Sequence, residues 1–458
     1  MKEEVDLLVT GAAELVTMAA PEGWSRPWPA VTADTGRAPA TATRGVATSR
    51  GSAASPRSAV TPLRGAAMDD PGVLAHGALA IRDGRIVAVD EESALLARYS
   101  GRRTLSARGG TLVPGFCDAH THPVFDATRE REFDQRARGR TYQEITAAGG
   151  GIFSSVRSLR AAPRGRLAAL LRERLDRFLQ CGTTSIEAKS GYGLTAETEL
   201  LSLELLAEAG AAHAVDIDAT CLAAHQVPPE FAADRQAWVA LVVERILPEV
   251  AARGLARSAD VFCDQGAYGV EEARAVLEGA AAAGLATRVH ADELAPVGAA
   301  ELAAACGAQT ADHLVHISDA GIEALARAGT APVLLPGTCF SLRSRKLPPV
   351  ARMLEAGLPL VLATDFNPGT SYIPSMVAIL GMGCSLFGLT VAQALCATTR
   401  NAAATLGLPG PRGVLVPGAL ADVAVLDVPN HLFLGYQFGW NPVAAVIKDG
   451  RVVHERAG

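Results

Sequence analysis

The chain has 458 residues, 49% of them hydrophobic, and a formal net charge of −6 from 42 Lys and Arg against 48 Asp and Glu. This length allows roughly two to four domains, or one large α/β barrel with a smaller companion. The mild acidity argues against nucleic acid as a partner, because phosphate binding requires concentrated Lys and Arg. The sequence predicts no membrane span and no secretory signal, so we expect a cytoplasmic protein.

The two terminal regions carry short β-like runs, and each region contains an Asp-Gly hairpin turn signal. The runs fall at residues 5–18, 78–89, 422–426 and 444–453. Neither terminal region alone can bury enough surface to be stable, so residues 1–19, 73–109 and 407–458 are predicted to form one small β-sandwich domain. Residues 20–72 are rich in Ala, Pro, Thr, Ser, Gly and Arg, and this composition predicts a disordered insert.

The middle of the chain, residues 110–406, predicts a (β/α)8 barrel of the TIM type. Eight short apolar runs alternate with longer Ala-, Leu- and Arg-rich helical patterns, which is typical of parallel βαβ units. The runs are Thr111–Cys117, Thr183–Ala188, Ile217–Ala223, Ala259–Cys263, Leu285–Val289, Ala308–Ala311, Ala331–Leu335 and Leu358–Ala363. An open doubly wound sheet is the alternative, but its G-x-G-x-x-G fingerprint follows none of the runs. In a barrel the reactive side chains lie where the strands end.

Metal-ligating residue types concentrate at these predicted strand ends. Five of the ten histidines occur there: His120, His122, His225, His290 and His313. Asp365 follows the last run. In an extended segment residues i and i+2 point to the same side, so His120 and His122 can hold one ion together. The pattern predicts a metal site at the C-terminal face of the barrel.

These strand-end residues, together with Pro114-Gly115-Phe116 before the first pair of histidines, resemble the amidohydrolase superfamily. That superfamily combines a metal-dependent barrel with a β domain built from both termini. Longer stretches are similar to the imidazolonepropionase family of histidine degradation, and they lie at residues 129–133, 149–152, 189–194, 224–225, 290–293, 311–314 and 363–370. The resemblance covers residues 73–458, and the insert at 20–72 departs from it.

The resemblance implies a hydrolase that opens the ring of 4-imidazolone-5-propanoate by C–N bond hydrolysis, giving N-formimidoyl-L-glutamate. One transition metal ion would be held by His120, His122, His290 and Asp365, and this donor set suits zinc or iron. Some superfamily members bridge two metals with a carbamylated lysine at the fourth strand. Here the nearest lysine, Lys189, follows the second run, so a single metal is expected. A homodimer is also a family expectation.

Three residues receive proton-handling roles from the resemblance. Asp365 would accept the proton of the attacking water, and His313 would orient that water or stabilise the oxyanion. Glu293 would shuttle a proton to the ring nitrogen, although a carboxylate on the dipole of a helix N-terminus is the competing interpretation. Arg129 is expected to bind the propanoate of the anionic substrate, because a guanidinium pairs a carboxylate in bidentate fashion.

The remaining substrate contacts implied by the resemblance come from loops after the strands. The full set beside Arg129 is Tyr192, His225, Glu293, Asn367, Gly369 and Thr370. Tyr192 could equally be a packing aromatic. Two other functions stay open at this point. A purine or pyrimidine ring deaminase would use the same residue pattern, and a non-catalytic scaffold on this frame is disfavoured because every metal-ligating position is kept.

Overall fold

The computed structural model describes residues 2–19, 60–141, 144–145 and 148–456. The strands of this part of the chain form three sheets of four, eight and six strands. Their bounds are β1 Glu3–Thr10, β2 Glu14–Val16, β3 Val73–Ala75, β4 Gly77–Arg82, β5 Arg85–Glu91, β6 Tyr99–Ser106, β7 Thr111–Pro114, β8 Phe116–Asp118, β9 Thr183–Lys189, β10 Asp216–Ala224, β11 Ser258–Cys263, β12 Ala286–Ala291, β13 Thr310–His313, β14 Ala331–Leu334, β15 Val361–Leu362, β16 Val423–Leu426, β17 Val443–Lys448 and β18 Arg451–Glu455.

Helices alternate with the strands of the large sheet and pack on its outer face. The α-helices are Glu92–Arg98, Glu130–Ala137, Ile152–Ala161, Arg164–Gln180, Ala196–Ala212, Arg235–Leu241, Leu247–Ala252, Val270–Ala282, Ala299–Ala305, Asp319–Ala328, Pro336–Ser341, Val350–Glu355, Met376–Phe387, Val391–Thr398, Arg400–Ala404 and Phe433–Tyr436. Short 3-10 turns lie at Gly65–Asp69 and Pro229–Phe231, and a π-helical segment at Val242–Ile246. Among the described residues, none of the helices combines the length and the apolar character needed to cross a bilayer.

The eight-stranded sheet is a parallel barrel in which β8 to β15 follow one another in chain order. The first and last strands meet just beyond their ends, where Thr121 and Phe366 form a parallel bridge. There the backbone N–H of His122 donates to the carbonyl of Phe366 at 2.8 Å, and the N–H of Asp365 to the carbonyl of His120 at 3.0 Å. Each predicted apolar run overlaps one barrel strand, so the predicted (β/α)8 fold class is confirmed.

The other two sheets form the smaller β unit. The four-stranded sheet has the order β5-β4-β1-β6, and the six-stranded sheet has the order β18-β17-β16-β7-β2-β3. In the second sheet β7 joins strands from both ends of the chain, because it pairs with β16 on one side and β2 on the other. The two termini therefore share one sheet, and the β-sandwich part of the predicted fold class is also confirmed.

The first predicted apolar run is divided between the two units. Residues 111–114 belong to the six-stranded sheet as β7, and only Phe116–Asp118 enters the barrel as β8. Gly115 lies between these two strands. It approaches the barrel closely, since a Cβ at this position would lie 2.5 Å from the Thr184 side chain. The barrel therefore starts after Gly115 rather than at the predicted residue 110.

The predicted disordered insert, residues 20–72, falls partly outside the described residues, namely at 20–59. The prediction does not hold for residues 60–72, which pack against the barrel through the buried side chains of Leu63 and Met68. The Asn401 side chain accepts from the N–H of Leu63 at 2.8 Å and donates to its carbonyl at 2.9 Å. The two buried apolar side chains and the Asn401 amide hold this segment against the barrel. The average composition of the whole insert does not reveal these contacts.

Candidate active site

Four predicted metal ligands meet at the C-terminal end of the barrel. His120 and His122 follow β8, His290 lies in β12 and Asp365 follows β15. The Nε2 atom of His122 lies 3.1 Å from Nε2 of His120 and 3.4 Å from Nε2 of His290. Oδ1 of Asp365 lies 3.5 Å from Nε2 of His120 and 3.4 Å from Nε2 of His122. All four side chains are buried, so the structure gathers these donor atoms around one point.

The opposite nitrogens of two of these rings contact buried carboxylates. Nδ1 of His120 lies 2.6 Å from Oδ2 of Asp312, and Nδ1 of His290 lies 3.0 Å from Oδ2 of Asp260. The Asp312 carboxylate accepts the ring N–H of His120, which leaves Nε2 of that ring with a lone pair directed at the centre of the cluster. The approach of Asp260 to His290 is an ion-pair contact without hydrogen-bond alignment. The cluster thus presents nitrogen lone pairs and a carboxylate to one another. This arrangement fits a bound transition metal cation.

Protonation of the cluster follows from burial and from its carboxylates. Burial, and next the charge of Lys189, lowers the pKa of His120 well below its ordinary value. Burial also lowers the pKa of His122, with His290 as the second cause. For His290 burial acts in the same direction, but Asp260 outweighs it and raises the pKa above its usual value. A metal ion at His290 would therefore compete with a proton.

His313 and Glu293 lie beside the same cluster. The His313 ring is centred 5.3 Å from that of His290, and its ring nitrogen also forms a compact group with His120 and His290, all within 4.8 Å. Oε2 of Glu293 lies 3.7 Å from Nε2 of His313. Burial lowers the pKa of His313 to about 3, although Asp365 opposes this shift. Burial, and next the charge of Asp365, raises the pKa of Glu293 to about 8.

Backbone strain marks the same strand ends. His313 and Asp365 both have positive φ angles, 72° and 49°, in the left-handed region that residues other than glycine rarely adopt. Such conformations persist where the surrounding structure holds them, and they cluster at functional sites. The strain therefore supports a functional role for this face of the barrel.

Arg129 and Gly369, both predicted substrate contacts, lie against each other. A Cβ built on Gly369 would lie 2.2 Å from Nη1 of Arg129, so any larger residue there would force the guanidinium to shift. Glu132 was not predicted, yet its Oε2 accepts from Nε and Nη2 of Arg129 at 2.9 and 2.6 Å. The same carboxylate accepts from the backbone N–H of Gly151. The Arg-x-x-Glu spacing at the start of a helix is the sequence signal that points to this pair.

Asn367 organises the loop that follows Asp365. Its Oδ1 accepts from the backbone N–H groups of Gly369 and Thr370 at 2.8 and 2.7 Å, and its Nδ2 donates to the carbonyl of Asp365 at 2.6 Å. The Thr370 hydroxyl also contacts Oδ1 of Asn367. The amide therefore has local partners that the sequence did not predict, and a direct contact with substrate stays a prediction for Asn367 and Thr370.

Tyr192 and His225 line the cluster on one side. The His225 ring stacks on that of His122 with the centroids 5.3 Å apart and an interplanar angle of 19°. The Tyr192 ring is centred 5.4 Å from His225 and 6.0 Å from His122. The Gly191 carbonyl lies 3.0 Å from Nδ1 of His225 and fixes this ring. Both predicted contacts thus stand beside the predicted ligands.

Several residues of the site were not predicted from the sequence. The Thr338 hydroxyl donates to Oδ2 of Asp365 at 2.5 Å, so only Oδ1 of that carboxylate faces the histidines. Asp260 and Asp312 hold the ligand rings, as described above. The signal for Asp260 was an acidic residue inside a largely apolar strand run, where a charge is buried only at a cost, and Asp312 directly follows such a run. Lys189, which the sequence places after the second predicted run, contacts Asp260 inside the barrel at 2.8 Å.

Comparisons with known proteins agree with this geometry. The model of the amidohydrolase family matches residues 136–454, and that of a bacterial imidazolonepropionase-like composite domain matches residues 77–99. A protein of Symbiobacterium thermophilum named imidazolonepropionase is 42% identical over 453 residues, covering 98% of this chain and 97% of its own. The imidazolonepropionase of Geobacillus kaustophilus is 43% identical and covers 86% of this chain and 94% of its own.

Solved structures share the fold at lower identity. A 5-methylcytosine deaminase from Klebsiella pneumoniae liganded with 5-fluorocytosine has a TM-score of 0.67 at 18% identity, covering 83% of this chain and 95% of its own. An adenosine deaminase from Xanthomonas campestris with bound zinc has a TM-score of 0.63 at 18% identity, covering 99% of this chain and 93% of its own. At this identity the likeness concerns the fold alone, whereas the sequence relatives decide the family. The chain belongs to the imidazolonepropionase family of amidohydrolases.

Proposed function

We propose that this protein is a metal-dependent hydrolase that opens the ring of 4-imidazolone-5-propanoate to give N-formimidoyl-L-glutamate. The observation that carries the proposal is the convergence of three imidazole Nε2 atoms and one carboxylate in a chain 42% identical to a protein named imidazolonepropionase. The predicted ring deaminase and the non-catalytic scaffold have no comparable support. A family relationship over 98% of the chain favours hydrolysis of the imidazolone ring.

His120, His122, His290 and Asp365 would hold one metal ion, for which zinc and iron are both suitable. Such an ion, when bound, lowers the pKa of water from about 15.7 toward about 7 and polarises a carbonyl oxygen. The buried carboxylates behind two of the rings support this assignment, because they make the Nε2 atoms the donors.

Asp365 would accept the proton of the attacking water, since Oδ1 faces the cluster while Thr338 holds Oδ2. Water oxygen adds to the ring carbonyl carbon, the C–N bond breaks, and the departing nitrogen needs a proton. Glu293 would supply that proton, because with a pKa of about 8 it is largely protonated at neutral pH. His313 stays neutral and would orient the water or the carbonyl oxygen through its ring N–H.

Arg129 would bind the propanoate of the substrate. Glu132 holds the guanidinium in one orientation, which lowers the entropy lost when a carboxylate binds. Gly369 leaves the space that the guanidinium needs, and Asn367 and Thr370 shape the loop on that side. Tyr192 and His225, next to His122, would contact the imidazolone ring.

The decisive experiment generates 4-imidazolone-5-propanoate in situ and follows the loss of its ultraviolet absorption. We expect the metal-loaded protein to accelerate the decay, and a chelator to remove the acceleration. Formation of N-formimidoyl-L-glutamate without ammonia distinguishes ring opening from deamination. If the compound decays at its spontaneous rate in the presence of metal-loaded protein, the substrate assignment is wrong.

A homodimer and a cytoplasmic location also belong to this proposal. The homodimer is an expectation from the family and the location an expectation from the sequence, and light scattering coupled to size exclusion would measure the first. A mass near twice 47.4 kDa is expected.

A further inference from the structure

A single lysine lies among three buried carboxylates behind the proposed metal ligands. Lys189 is the last residue of β9, and its Nζ lies 2.8 Å from Oε1 of Glu187, 2.8 Å from Oδ2 of Asp260 and 3.8 Å from Oδ2 of Asp312. The four side chains have no exposed surface. This ammonium group and the buried Arg288 guanidinium, whose Nε lies 3.9 Å from Oε1 of Glu187, therefore face negative charges that have no access to water.

Two of these carboxylates are the ones that hold the ligand rings. Oδ2 of Asp260, which contacts the lysine, also contacts Nδ1 of His290. Oδ2 of Asp312 faces the lysine and contacts Nδ1 of His120. The ammonium thus stands at the centre of a continuous chain of polar contacts that joins two metal-ligating histidines on different strands.

We propose that Lys189 is a positioning residue that fixes both carboxylates and thereby the tautomer and direction of the His120 and His290 rings. This inference rests on the metal site of the proposed function and deepens it. Two buried carboxylates repel each other, and without a cation beside them they turn apart. A displaced carboxylate no longer fixes the ring of its histidine, and the Nε2 atom loses its fixed direction.

The surroundings also decide the chemical form of this lysine. A carbamate on Nζ would place a further negative charge among Glu187, Asp260 and Asp312, whereas an ammonium balances them. Burial opposes the charged form, but Asp260 and then Glu187 outweigh it and raise the pKa of Lys189 above its ordinary value. Lys189 therefore supports the ligands and does not become one.

The test measures metal binding without any substrate. Lys189→Met removes the charge while keeping an unbranched side chain, and Glu187→Gln/Lys189→Met removes one opposing charge as well. Competition with a chromophoric chelator gives the Zn²⁺ affinity of the metal-free proteins, and the visible spectrum of Co²⁺-loaded protein reports ligand geometry. Circular dichroism checks folding. Lys448→Met is the matched control, because Lys448 is a buried lysine whose carboxylate partners Asp216 and Asp422 are not the carboxylates that contact the His120 and His290 rings.

We expect both Lys189 variants to bind Zn²⁺ about 10- to 100-fold more weakly than the native chain and to show a shifted Co²⁺ spectrum. Lys448→Met should keep the native affinity and spectrum. Unchanged or tighter Zn²⁺ binding in the folded double variant would overturn the proposal, because repulsion between the ammonium and the metal would then outweigh positioning. Failure of the native chain to bind Zn²⁺ or Co²⁺ would also overturn it. Native metal binding without imidazolone turnover would instead contradict the proposed substrate alone.

Discussion

Two buried charged clusters lie at different ends of the barrel strands, and they differ in how their charges are balanced. At the beginning of β10, Asp216 contacts Nζ of Lys448 at 3.1 Å and Nη1 of Arg412 at 2.7 Å. Lys448 also lies 3.2 Å from Oδ1 of Asp422, so this cluster, which we call the lower cluster, joins the barrel to the six-stranded sheet. Its cations and carboxylates are in direct contact.

The cluster of His120, His122, His290 and Asp365 has the opposite character. Imidazole nitrogens and one carboxylate oxygen face each other in this cluster. The nearest described ammonium, that of Lys189, contacts the carboxylates behind the rings. Buried charges that pair with each other stabilise a fold, or at least avoid a penalty. Buried acceptors that converge without a cation indicate a binding site. The two clusters therefore differ in how their charges are balanced, and this difference is the reason for proposing a metal site only at the histidines.

The largest expected effect is at the histidine cluster. His122→Ala removes one donor, and we expect kcat/KM for the imidazolone to fall by about three orders of magnitude or more, since a catalytic metal contributes several kcal/mol. Metal content by atomic emission should fall in parallel, while the fold remains intact by circular dichroism. Full metal content together with full activity would remove His122 from the site.

Removing a charge from the lower cluster should lower the stability of the protein and leave its catalytic activity unchanged. Lys448→Met leaves Asp422 buried without its cation, and we expect the free energy of unfolding to drop by about 3 kcal/mol. Urea denaturation measures this change. The kcat/KM of the protein that remains folded should equal the native value, and a drop in metal content would show that the two clusters are not independent.

Arg129→Ala tests the predicted carboxylate contact. Loss of a charge-assisted hydrogen bond costs about 1.5–3 kcal/mol, so KM should rise by about 10- to 100-fold with metal content unchanged. The exposed neighbour Arg131 provides the control, since Arg131→Ala changes the same net charge in the same helix. An equal effect of both variants would mean that general electrostatic attraction, and not a contact, explains the result.

Gly369→Ala should produce the smallest effect on KM. This variant changes the position of the Arg129 guanidinium without changing its charge. Its Cβ displaces the Arg129 guanidinium without removing it, so we expect a severalfold rise in KM, about 1 kcal/mol, and little change in kcat. Gly165 lies in a helix where an added Cβ meets nothing within 4 Å, and Gly165→Ala is the matched control. A native KM in Gly369→Ala would show that the guanidinium can shift without loss of substrate.

The sequence by itself indicated the barrel and the residue types of its site. Alternating apolar runs reveal parallel strands, and the two-residue period of an extended chain places His120 and His122 on one side. These are local properties, because they depend on residues that are close in the chain. The same local evidence failed at residues 60–72 and at Gly115, where contacts with Asn401 and Thr184 decide the structure.

Only the tertiary structure decided how the site is oriented. The Nδ1 partners of His120 and His290 are Asp312 and Asp260. Asp260 meets His290 through the alignment of the neighbouring strands β11 and β12, whereas Asp312 meets His120 between the non-adjacent strands β13 and β8. Likewise Arg129 meets Gly369 across 240 positions of chain, so no local pattern could pair them. The chemical type of each residue can be read from the sequence, but the direction of a hydrogen bond and the close approach of two side chains depend on packing between distant segments. The sequence therefore predicted the metal-ligating groups, and the fold alone set which of their atoms face one another.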